Sequence, residues 1–382
     1  MERVVIVMPA WNEEENIRRM IDELVDKEFP NINAEMHLLV VDNHSKDKTE
    51  EIVREATKTK KNVHVIQQGD KSGLGWAYIN GFKYAVKELK ADAVMEMDAD
   101  FQHPPRFVKP MVQAFLNGAD YVIGSRYIKG GSVPAEWEFS RKFISFAGNL
   151  FIRVVLVKPK IHDLTTGFRL TRVKGVLDKI DLDNLMEPGR FAHKVDLLYQ
   201  AIKNSKKVVE VPLEFASRKQ EKSKFNPKEM ISTFKVALIL GIKDKAKFIK
   251  FGTVGFVGYV INASSLALFT NLAWPGPLAW GASTELAIIN NFIFNNFWTF
   301  KSEKISGMGN LIYKFFQFNM TSAGALAIQV IFGTISDVVF GPQYRQLALP
   351  FIIVFLVLPY NYLMYNVVIW KSWNLSKLLK RK

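Results

Sequence analysis

The second half of the chain contains four long stretches with almost no charged residues, and these restrict the possible folds more than any other feature. They cover Phe248–Leu272, Leu278–Phe300, Phe315–Ile335 and Leu347–Trp370. The charged side chains within them are those of Lys250 and Glu285 alone. A helix of about 20 apolar residues crosses the hydrocarbon core of a bilayer, which is about 30 Å thick. Buried core helices are the alternative explanation, but four such stretches in succession favour an all-α domain of four transmembrane helices.

The basic residues that flank these stretches predict their orientation, because Lys and Arg are enriched on the cytoplasmic side of membranes. Lysines precede the first stretch, separate the second from the third, and follow the fourth, whereas the segment Asn271–Pro277 carries no charge. Both termini and the whole first half are therefore predicted to be cytoplasmic, in a multi-pass protein of the cell membrane.

Four segments are predicted along the chain. Residues 1–225 form an α/β domain, residues 226–245 a juxtamembrane amphipathic helix, residues 246–372 the four-helix membrane domain, and residues 373–382 a basic cytoplasmic tail. The juxtamembrane helix is predicted because apolar residues between Met230 and Leu240 recur at helical spacing with lysine among them. A position on the membrane surface fits this pattern, and so does a linker helix that packs on the first domain.

The first 225 residues alternate between short apolar runs and helical patterns. The runs are Val4–Met8, Leu38–Val41, Val63–Ile66, Ala93–Met97, Tyr121–Ile123 and Val208–Val211. The helical patterns are Glu13–Asp26, Thr49–Thr57, Leu74–Leu89 and Arg106–Leu116. Continuous apolar runs are typical of strands buried on both faces. Their alternation with helices predicts a Rossmann-like, mostly parallel sheet covered by helices on both sides.

Composition excludes several classes of function. The chain of 382 residues has 0 Cys, so it has no disulfide, no thiolate metal site and no cysteine nucleophile. Its formal net charge of +14 favours anionic partners such as nucleotide phosphates, lipid phosphates and an anionic membrane face. We expect no nucleic-acid partner, because the charge is not concentrated in one basic helix and no nucleic-acid motif is present. The absence of a phosphate-loop or dinucleotide fingerprint argues against a kinase or a dehydrogenase.

Two carboxylates and an amide follow the fourth apolar run. Asp98 and Asp100 are one residue apart, and Gln102 comes two residues later. Open α/β sheets bind ligands at the carboxyl ends of their strands. Hard oxygen ligands suit a Mg²⁺ or Mn²⁺ ion that is shared with substrate phosphates. An ordinary acidic turn explains this motif equally well when it is taken alone.

The loops after the first two runs carry further polar and aromatic residues. In Pro9–Glu13, Trp11 offers an aromatic face that could stack on a base. Asp42 ends its strand where an acidic residue commonly holds a ribose or a base edge. Simple turn chemistry is the alternative for each of these loops separately.

An ordered series of motifs in the first half resembles the inverting GT-A glycosyltransferases. Among these it looks most like the dolichol- or polyprenyl-phosphate mannosyltransferases, over nearly all of residues 1–225. The second half resembles a GtrA-like four-helix membrane module through Phe251–Gly255 and Asn295–Phe300. The motifs that carry the first resemblance are Pro9–Glu13, Val40–Thr49, Met97–Pro105, Gly124–Gly131, Asp163–Arg169 and Val209–Pro212.

This resemblance implies a metal-dependent, inverting transfer of a hexose to the phosphate of dolichyl or polyprenyl phosphate on the cytoplasmic membrane face. The donor would be a nucleotide sugar, GDP-mannose in particular, and the cofactor Mg²⁺ or Mn²⁺. The implied catalytic residues are Asp100 and Arg126. The implied metal ligands are Asp98, Asp100 and Gln102, and the implied contacts of the acceptor phosphate are Arg126, Arg141 and Ser145. The implied donor site comprises Pro9, Trp11, Glu13, Asp42, Asp98, Ala99, Asp100, Gln102, Arg218 and Lys224.

The sequence departs from the family pattern at three points, and these leave details of donor binding open. Asn43 stands where the family usually has a second Asp, and Trp11 replaces the common Tyr. The basic segment Arg218–Lys224 lacks the usual Gly. A polyprenyl-phosphate glucosyltransferase that uses UDP-glucose is the alternative in the same class. A lipid-binding or flippase-type membrane protein with a degenerate transferase domain is the alternative from another class.

The expected chemistry needs a cation rather than a base. A phosphate monoester already carries negative charge near pH 7, because its second pKa is about 6. Arg126 offers a planar guanidinium that matches phosphate geometry. With no proton to remove, His103 is not expected to act as a general base, although it lies beside the acidic motif.

Overall fold

A computed structural model describes residues 1–69, 73–217, 227–340 and 351–373. The chain divides into two compact units, Met1–Ile242 and Lys243–Lys382.

The first unit is built on a seven-stranded sheet with the order β3-β2-β1-β4-β6-β5-β7. Six of the strands coincide with the predicted apolar runs, and the prediction of a GT-A, Rossmann-like, mostly parallel sheet is confirmed. The strands are β1 Arg3–Ala10, β2 Glu35–Asp42, β3 Val63–Gln67, β4 Ala93–Glu96, β5 Tyr121–Ser125, β6 Arg169–Arg172 and β7 Val208–Pro212.

Strand β6 is not predicted by the sequence, because it has two arginines and no apolar run. It lies between β4 and β5 and is antiparallel to both. Arg169 is fully buried and pairs in register with Glu96, which is also buried. Arg172 approaches Asp120, with 3.4 Å between Nε and Oδ1. The guanidinium of Arg169 donates to the backbone oxygens of Lys194 and Leu164, and acidic side chains lie near both arginines, which allows a charged segment into the sheet.

Helices cover both faces of the sheet, as its alternating side chains require. In β1, Ile6 and Met8 belong to one core layer and Val5 and Val7 to the other. The first layer includes residues of α1, α2 and α4, and the second includes residues of α3, α5 and α6. These helices are α1 Glu14–Asp22, α2 Thr49–Thr59, α3 Leu74–Lys87, α4 Val108–Leu116, α5 Phe139–Val155 and α6 His193–Asn204. A π-helical segment, Glu23–Glu28, extends α1.

The strand order reverses between β1 and β4, which creates a crevice at the carboxyl ends of these strands. Strands β1 and β2 are parallel, with Ala10 opposite Asp42. On the other side of β1, Val7 is opposite Glu96 of the parallel strand β4. The loops that follow β1, β2 and β4 therefore emerge at one edge, where ligands bind in sheets of this type.

Helix α7 runs from Pro227 to Asn271, and its first part belongs to the first unit. Val236 and Ala237 are buried in the core of that unit, while Ile231, Leu238 and Ile242 are exposed. This part of the helix therefore packs on the α/β domain through one face. Its contact with a membrane surface stays a prediction.

Helical segments occupy the second unit at each of the four predicted spans. They are the remainder of α7; α8 Gly276–Phe294, continued by the π-helical Asn295–Thr299; α9 Met308–Phe340; and a last segment made of π-helical Ile353–Val357, α10 Leu358–Met364 and π-helical Tyr365–Ile369. Among the residues that the structure describes, one helix, Lys228–Phe269, is long and apolar enough to cross a membrane, and a shorter apolar helix covers Val354–Ile369. The number of crossings therefore stays a prediction.

Aromatic side chains form the core of the second unit. Phe300 and Trp370 stack with 4.3 Å between ring centroids. The indole Nε1 of Trp370 donates a hydrogen bond to Oδ1 of Asn296 at 3.0 Å, and the same oxygen accepts from the backbone N–H of Ile305 at 2.7 Å. The buried amide of Asn296 is thus satisfied, which gives the motif Asn295–Phe300 a structural role in this unit.

Candidate active site

A cavity of about 360 Å³ lies at the crevice between the carboxyl ends of β1, β2 and β4. It brings together seven of the predicted donor residues, with Leu74 and Ala77 of α3 and Lys194 of α6. The predicted donor residue Asp42 does not line the cavity, whereas the next residue, Asn43, does. The full lining is Pro9, Ala10, Trp11, Glu13, Asn43, Leu74, Ala77, Asp98, Ala99, Asp100, Gln102, Phe191 and Lys194.

Hydrogen bonds between the first two loops hold Trp11 at the cavity. The indole is 59% exposed. The next residue, Asn12, has a positive φ of 54°, which Asn tolerates better than most residues. Its side-chain Oδ1 accepts from the N–H of Lys46 at 2.8 Å, and its own N–H donates to Oγ of Ser45 at 3.0 Å. The aromatic face is thus presented by a fixed loop.

The Asp42 carboxylate is fully buried at the end of β2. Its Oδ2 accepts a hydrogen bond from the N–H of Ser45 at 3.1 Å. Its Oδ1 is buried and has no hydrogen-bond partner among the described residues. A buried acceptor of this kind is unfavourable unless a donor reaches it.

The two acidic residues after β4 have different surroundings. Oδ1 of Asp98 accepts from the hydroxyl of Tyr78 at 2.8 Å and lies 3.8 Å from Nζ of Lys194. Asp100 is nearly buried, and its Oδ1 accepts from the N–H of Gln102 at 3.0 Å. Phe101 between them has a φ of 62°, an uncommon value for a bulky residue. Such strain is typical of functional sites, and here it turns Gln102 back toward Asp100.

Lys194 is a site residue that the sequence analysis missed. It is almost fully buried in α6, yet its ammonium group reaches the cavity beside Asp98. Gly167 makes room for it, since a Cβ there would lie 2.3 Å from Nζ. The backbone oxygen of Lys194 accepts from Nη1 of Arg169 at 2.6 Å. No signal in the sequence pointed to it, because α6 begins with polar residues, His193, Lys194 and Asp196, that do not look buried.

His103 has a packing role in the structure. Its ring is buried and stacks on Phe168 at 5.1 Å between centroids. Nδ1 accepts a hydrogen bond from the N–H of Asp98 at 3.2 Å. Burial lowers the pKa of His103 to about 4, so the ring is neutral near pH 7. The lone pair of Nδ1 thus holds the backbone of Asp98, and the low pKa makes the imidazole a weak base.

Arg126 lies just after β5 in a buried ion pair that the sequence analysis did not foresee. Its Nε donates to Oδ2 of Asp163 at 2.7 Å, and its Nη2 donates to Oδ1 at 2.8 Å. The side chain of Arg126 is 8% exposed and that of Asp163 0%. Although burial acts to raise it, the pKa of Asp163 lies below its ordinary value because the charge and hydrogen bonds of Arg126 stabilise the carboxylate.

This ion pair changes how Arg126 could meet a phosphate. Asp163 occupies the edge of the guanidinium that carries Nε and Nη2. Nη2 also donates to Oγ1 of Thr165 at 2.7 Å. Among the described residues, Nη1 makes no hydrogen bond. The two-pronged contact expected from the sequence is therefore made with Asp163, which fixes the orientation of the guanidinium.

Arg141 and Ser145 belong to α5, and aromatic side chains link them to Arg126. The guanidinium of Arg141 lies 3.9 Å from the ring centroid of Trp137. Trp137 meets Phe215 edge-on at 5.9 Å, and the guanidinium of Arg126 lies 5.4 Å from the Phe215 ring. Oγ of Ser145 is 2.6 Å from the hydroxyl of Tyr127, the residue after Arg126. The three predicted acceptor residues are therefore connected through Trp137, Phe215 and Tyr127, and they lie outside the lining of the donor-side cavity.

Phe215 also connects this group to the acidic motif. Its ring packs edge-on against His103 at 5.5 Å between centroids. One aromatic ring therefore separates Arg126 from the residue that follows Gln102. The predicted donor residues Arg218 and Lys224 lie outside the described residues.

The side chains after β4 fit a hard divalent cation. Two carboxylates and an amide oxygen line one cavity. Magnesium is usually bound through one or two carboxylates together with waters and substrate phosphates. Across the described parts of the chain, no group of three or more His, Asp or Glu side chains is arranged to hold a metal ion. An ion held by these oxygens would complete its shell with waters and a phosphate-bearing ligand.

The GT-A glycosyltransferases have a Rossmann-like sheet with an acidic cavity at its switch point, and this chain has both features. Residues 5–178 match glycosyl transferase family 2, and residues 250–370 match the GtrA/DPMS transmembrane domain. The chain belongs to the dolichol-phosphate mannosyltransferase family of these enzymes. Both the resemblance and the assignment as a glycosyltransferase are thus confirmed, and the second half is a membrane domain.

Relatives with assigned activities support the family membership. A dolichol-phosphate mannosyltransferase of Pyrococcus furiosus is 35% identical over 318 residues, which cover 82% of this chain and 85% of the relative. A polyprenol monophosphomannose synthase of Mycolicibacterium smegmatis is 36% identical over 250 residues, which cover 64% of this chain and 91% of the relative. A solved glucosyl-3-phosphoglycerate synthase from Mycobacterium tuberculosis has a TM-score of 0.46 and 18% identity, over 63% of this chain and 79% of that chain. That last similarity is too distant to bear on activity.

Proposed function

We propose that the protein transfers mannose from GDP-mannose to the phosphate of a dolichyl or polyprenyl phosphate, with inversion, at the cytoplasmic face of a membrane. The observation that carries the proposal is the adjacency of two groups across Phe215. An oxygen-rich cavity with Asp98 and Asp100 lies on one side, and the arginine group of Arg126 and Arg141 lies on the other. The names of the relatives support mannose as the sugar and a polyprenyl or dolichyl phosphate as the acceptor.

The donor nucleoside would occupy the part of the cavity formed by the loops after β1 and β2. Trp11 would stack on the base, since an exposed aromatic face at a fixed loop suits this contact. Asn43, which lines the cavity next to the buried Asp42, would offer its side-chain amide to the nucleoside.

The diphosphate would lie near Asp98, Asp100 and Gln102, which would hold the cation. A bound Mg²⁺ or Mn²⁺ would neutralise charge on the leaving diphosphate. Lys194 would orient Asp98 and add positive charge at the same end of the cavity, because its ammonium group is 3.8 Å from the carboxylate.

The acceptor phosphate would be held by Arg126, Arg141 and Ser145. An oxygen of the phosphate forms the new bond to the sugar carbon as the bond from that carbon to the nucleoside diphosphate breaks, and the diphosphate leaves with the electron pair. No proton is removed from the dianionic acceptor, so the protein supplies positioning and charge. Asp163 holds the guanidinium of Arg126 in place before the phosphate arrives.

The outer surface of α5 supports a lipid acceptor. Arg141 and Ser145 lie on one stripe of this helix. A second stripe of the same helix is apolar, exposed and spaced at three or four residues, and it consists of Phe139, Phe143, Phe146, Leu150 and Val154. Exposed apolar patches of this kind mark membrane or lipid contacts. The proposed topology has both termini in the cytoplasm and a multi-pass membrane domain in the second half of the chain.

A transfer assay tests the proposal. The purified protein is incubated with Mg²⁺, a short polyprenyl phosphate and either labelled GDP-mannose or labelled UDP-glucose. We expect label to enter the organic phase with GDP-mannose, and no such product with the matching polyprenol that lacks a phosphate. Transfer from UDP-glucose alone would establish the glucosyltransferase alternative. Absence of a lipid product with both donors would contradict the proposal.

A further inference from the structure

One buried amide joins α5 to the group that holds Arg126. Oδ1 of Asn149 accepts from the backbone N–H of Leu164 at 2.8 Å, and Nδ2 donates to Oγ1 of Thr165 at 2.9 Å. The same Oγ1 accepts from Nη2 of Arg126 at 2.7 Å. Nδ2 also donates to the backbone oxygen of Ser145, 3.2 Å away on α5 itself. Asn149 is buried, so these bonds are made away from water.

The groups that donate and accept in this hydrogen-bond network follow from the chemistry of Thr165 and Asn149. Thr165 accepts from two donors, so its hydroxyl proton is left for Oδ1 of Asp163, 3.4 Å away. Asn149 must both donate and accept, which an aspartate or an aliphatic side chain cannot do. An apolar side chain would leave the N–H of Leu164 without its partner.

The link matters because the acceptor residues come from two different elements. Arg126 follows β5, whereas Arg141 and Ser145 are carried by α5. To act on one phosphate they must be held at fixed distances. Arg141, Ser145 and Asn149 follow each other at helical spacing of four residues, so Asn149 lies on the stripe of α5 that carries the other two.

We propose that Asn149 is a positioning residue for the acceptor. By tying α5 to the Asp163–Thr165 loop, it keeps the guanidinium of Arg126 in register with Arg141 and Ser145. This inference rests on the proposed function, because it takes these residues as the binding site of the acceptor phosphate. It assigns no contact with substrate to Asn149 itself.

The test compares two substitutions on α5. Asn149→Leu keeps the size of the side chain and removes the link. Ile152→Ala is the matched control, because Ile152 is fully buried on the same helix and contributes apolar contacts only. We expect Asn149→Leu to lower kcat/KM for polyprenyl phosphate by about 10-fold to 100-fold, as a small misplacement of a positioning group does. The KM for the donor should not change, and Ile152→Ala should leave both constants unchanged when measured below its own unfolding temperature.

A double variant tests whether the effect passes through Thr165. Thr165→Val removes the hydroxyl and should give a loss similar to that of Asn149→Leu, and the double variant should lose no more than either single variant. Thr165→Val also serves if Asn149→Leu does not fold. Multiplicative losses, an unchanged acceptor constant, or an equal loss in Ile152→Ala would each overturn the inference. If the wild-type protein transfers no sugar to any lipid phosphate, the proposed function has failed instead.

Discussion

At the scale of single residues, neighbouring side chains of one type acquire different tasks from their surroundings. The carboxylate of Asp98 accepts a hydrogen bond from Tyr78 and lies near the ammonium group of Lys194, so groups of the protein stabilise its negative charge. Asp100 is nearly buried and accepts from the backbone of Gln102. His103, one residue further, is held neutral by burial. The spacing of two carboxylates is visible in the sequence, but this division of roles requires the fold.

Loss of charge at Asp100 should abolish transfer. Asp100→Asn keeps an acceptor for the N–H of Gln102 but removes an anionic ligand of the proposed cation. We expect a fall in kcat of about 100-fold or more, since charge stabilisation by a metal contributes several kcal/mol and each 1.36 kcal/mol is tenfold. Asp26→Asn, a change at an exposed ion pair with Lys60, should have no effect.

Chelation provides the matching test of the cation. EDTA should stop turnover of the wild-type protein, and excess Mg²⁺ or Mn²⁺ should restore it. Full activity in metal-free buffer would contradict the proposed role of the three oxygen ligands.

At the scale of elements, strands with apolar runs are predictable and strands built on compensated charges are not. The runs that became β1, β2 and β4 predicted the sheet and the edge where Trp11 and Asp98 meet. Strand β6 is not predicted, because its arginines are stabilised by groups that lie elsewhere in the sequence: backbone oxygens for Arg169 and Asp120 for Arg172. Asp163 belongs to a motif that is visible in the sequence. Its ion pair with Arg126 depends on how β5 and the loop before β6 meet in space. Helix α5 was also missed, so the link through Asn149 could not be foreseen.

A methyl group added at Gly167 should test the role of Lys194, because it displaces the end of that side chain. The added Cβ would lie 2.3 Å from Nζ of Lys194, so the flexible end of that lysine must leave its place beside Asp98. We expect Gly167→Ala to fold but to lose about 10-fold to 150-fold in kcat/KM for the donor, the equivalent of one charge-assisted contact of roughly 1.5–3 kcal/mol.

Two further variants show whether the loss in Gly167→Ala comes from the displacement of Lys194. Lys194→Met should reproduce the loss, because it keeps the length of the side chain without its charge. Gly148→Ala is the control, since its Cβ would meet Phe234 at an ordinary distance of 3.8 Å. Normal donor kinetics in both Gly167→Ala and Lys194→Met would show that Lys194 has no part in the site.

At the scale of the whole molecule, an α/β transferase unit is joined to a membrane domain in one chain. The apolar stretches and their basic flanks predicted this arrangement because a bilayer imposes a minimum length and a charge asymmetry on the sequence. The helices of the second unit lie where the stretches predicted them, and a lipid acceptor explains why an enzyme should carry such a domain. The crossings themselves depend on the bilayer, so they are tested in membranes.

Cysteine labelling tests the topology directly, because the chain has 0 Cys of its own. Ser302 lies between the second and third predicted spans, and Trp274 lies between the first and second. Ser302→Cys and Trp274→Cys should react with an impermeant maleimide from opposite faces of sealed vesicles, with Ser302 on the cytoplasmic side. Labelling of both from one face would show that a predicted span does not cross.

The mechanism proposed above depends on Arg126 as the cation that positions an already ionised acceptor phosphate, and it needs no general base. Lysine at this position keeps the charge but cannot bond both oxygens of Asp163 and still present a fixed donor to the phosphate. His103→Asn retains an acceptor for the N–H of Asp98 and removes the imidazole. Thermal unfolding of each variant serves as the check that it is folded.

The most direct measurement is the rate of transfer to varied polyprenyl phosphate at saturating donor, for Arg126→Lys and His103→Asn side by side. We expect a fall in kcat/KM of roughly 30-fold to 1,000-fold for Arg126→Lys, corresponding to about 2–4 kcal/mol of transition-state stabilisation. His103→Asn should change the rate only slightly. An inactive but folded His103→Asn protein, together with normal transfer by Arg126→Lys, would contradict the proposed mechanism.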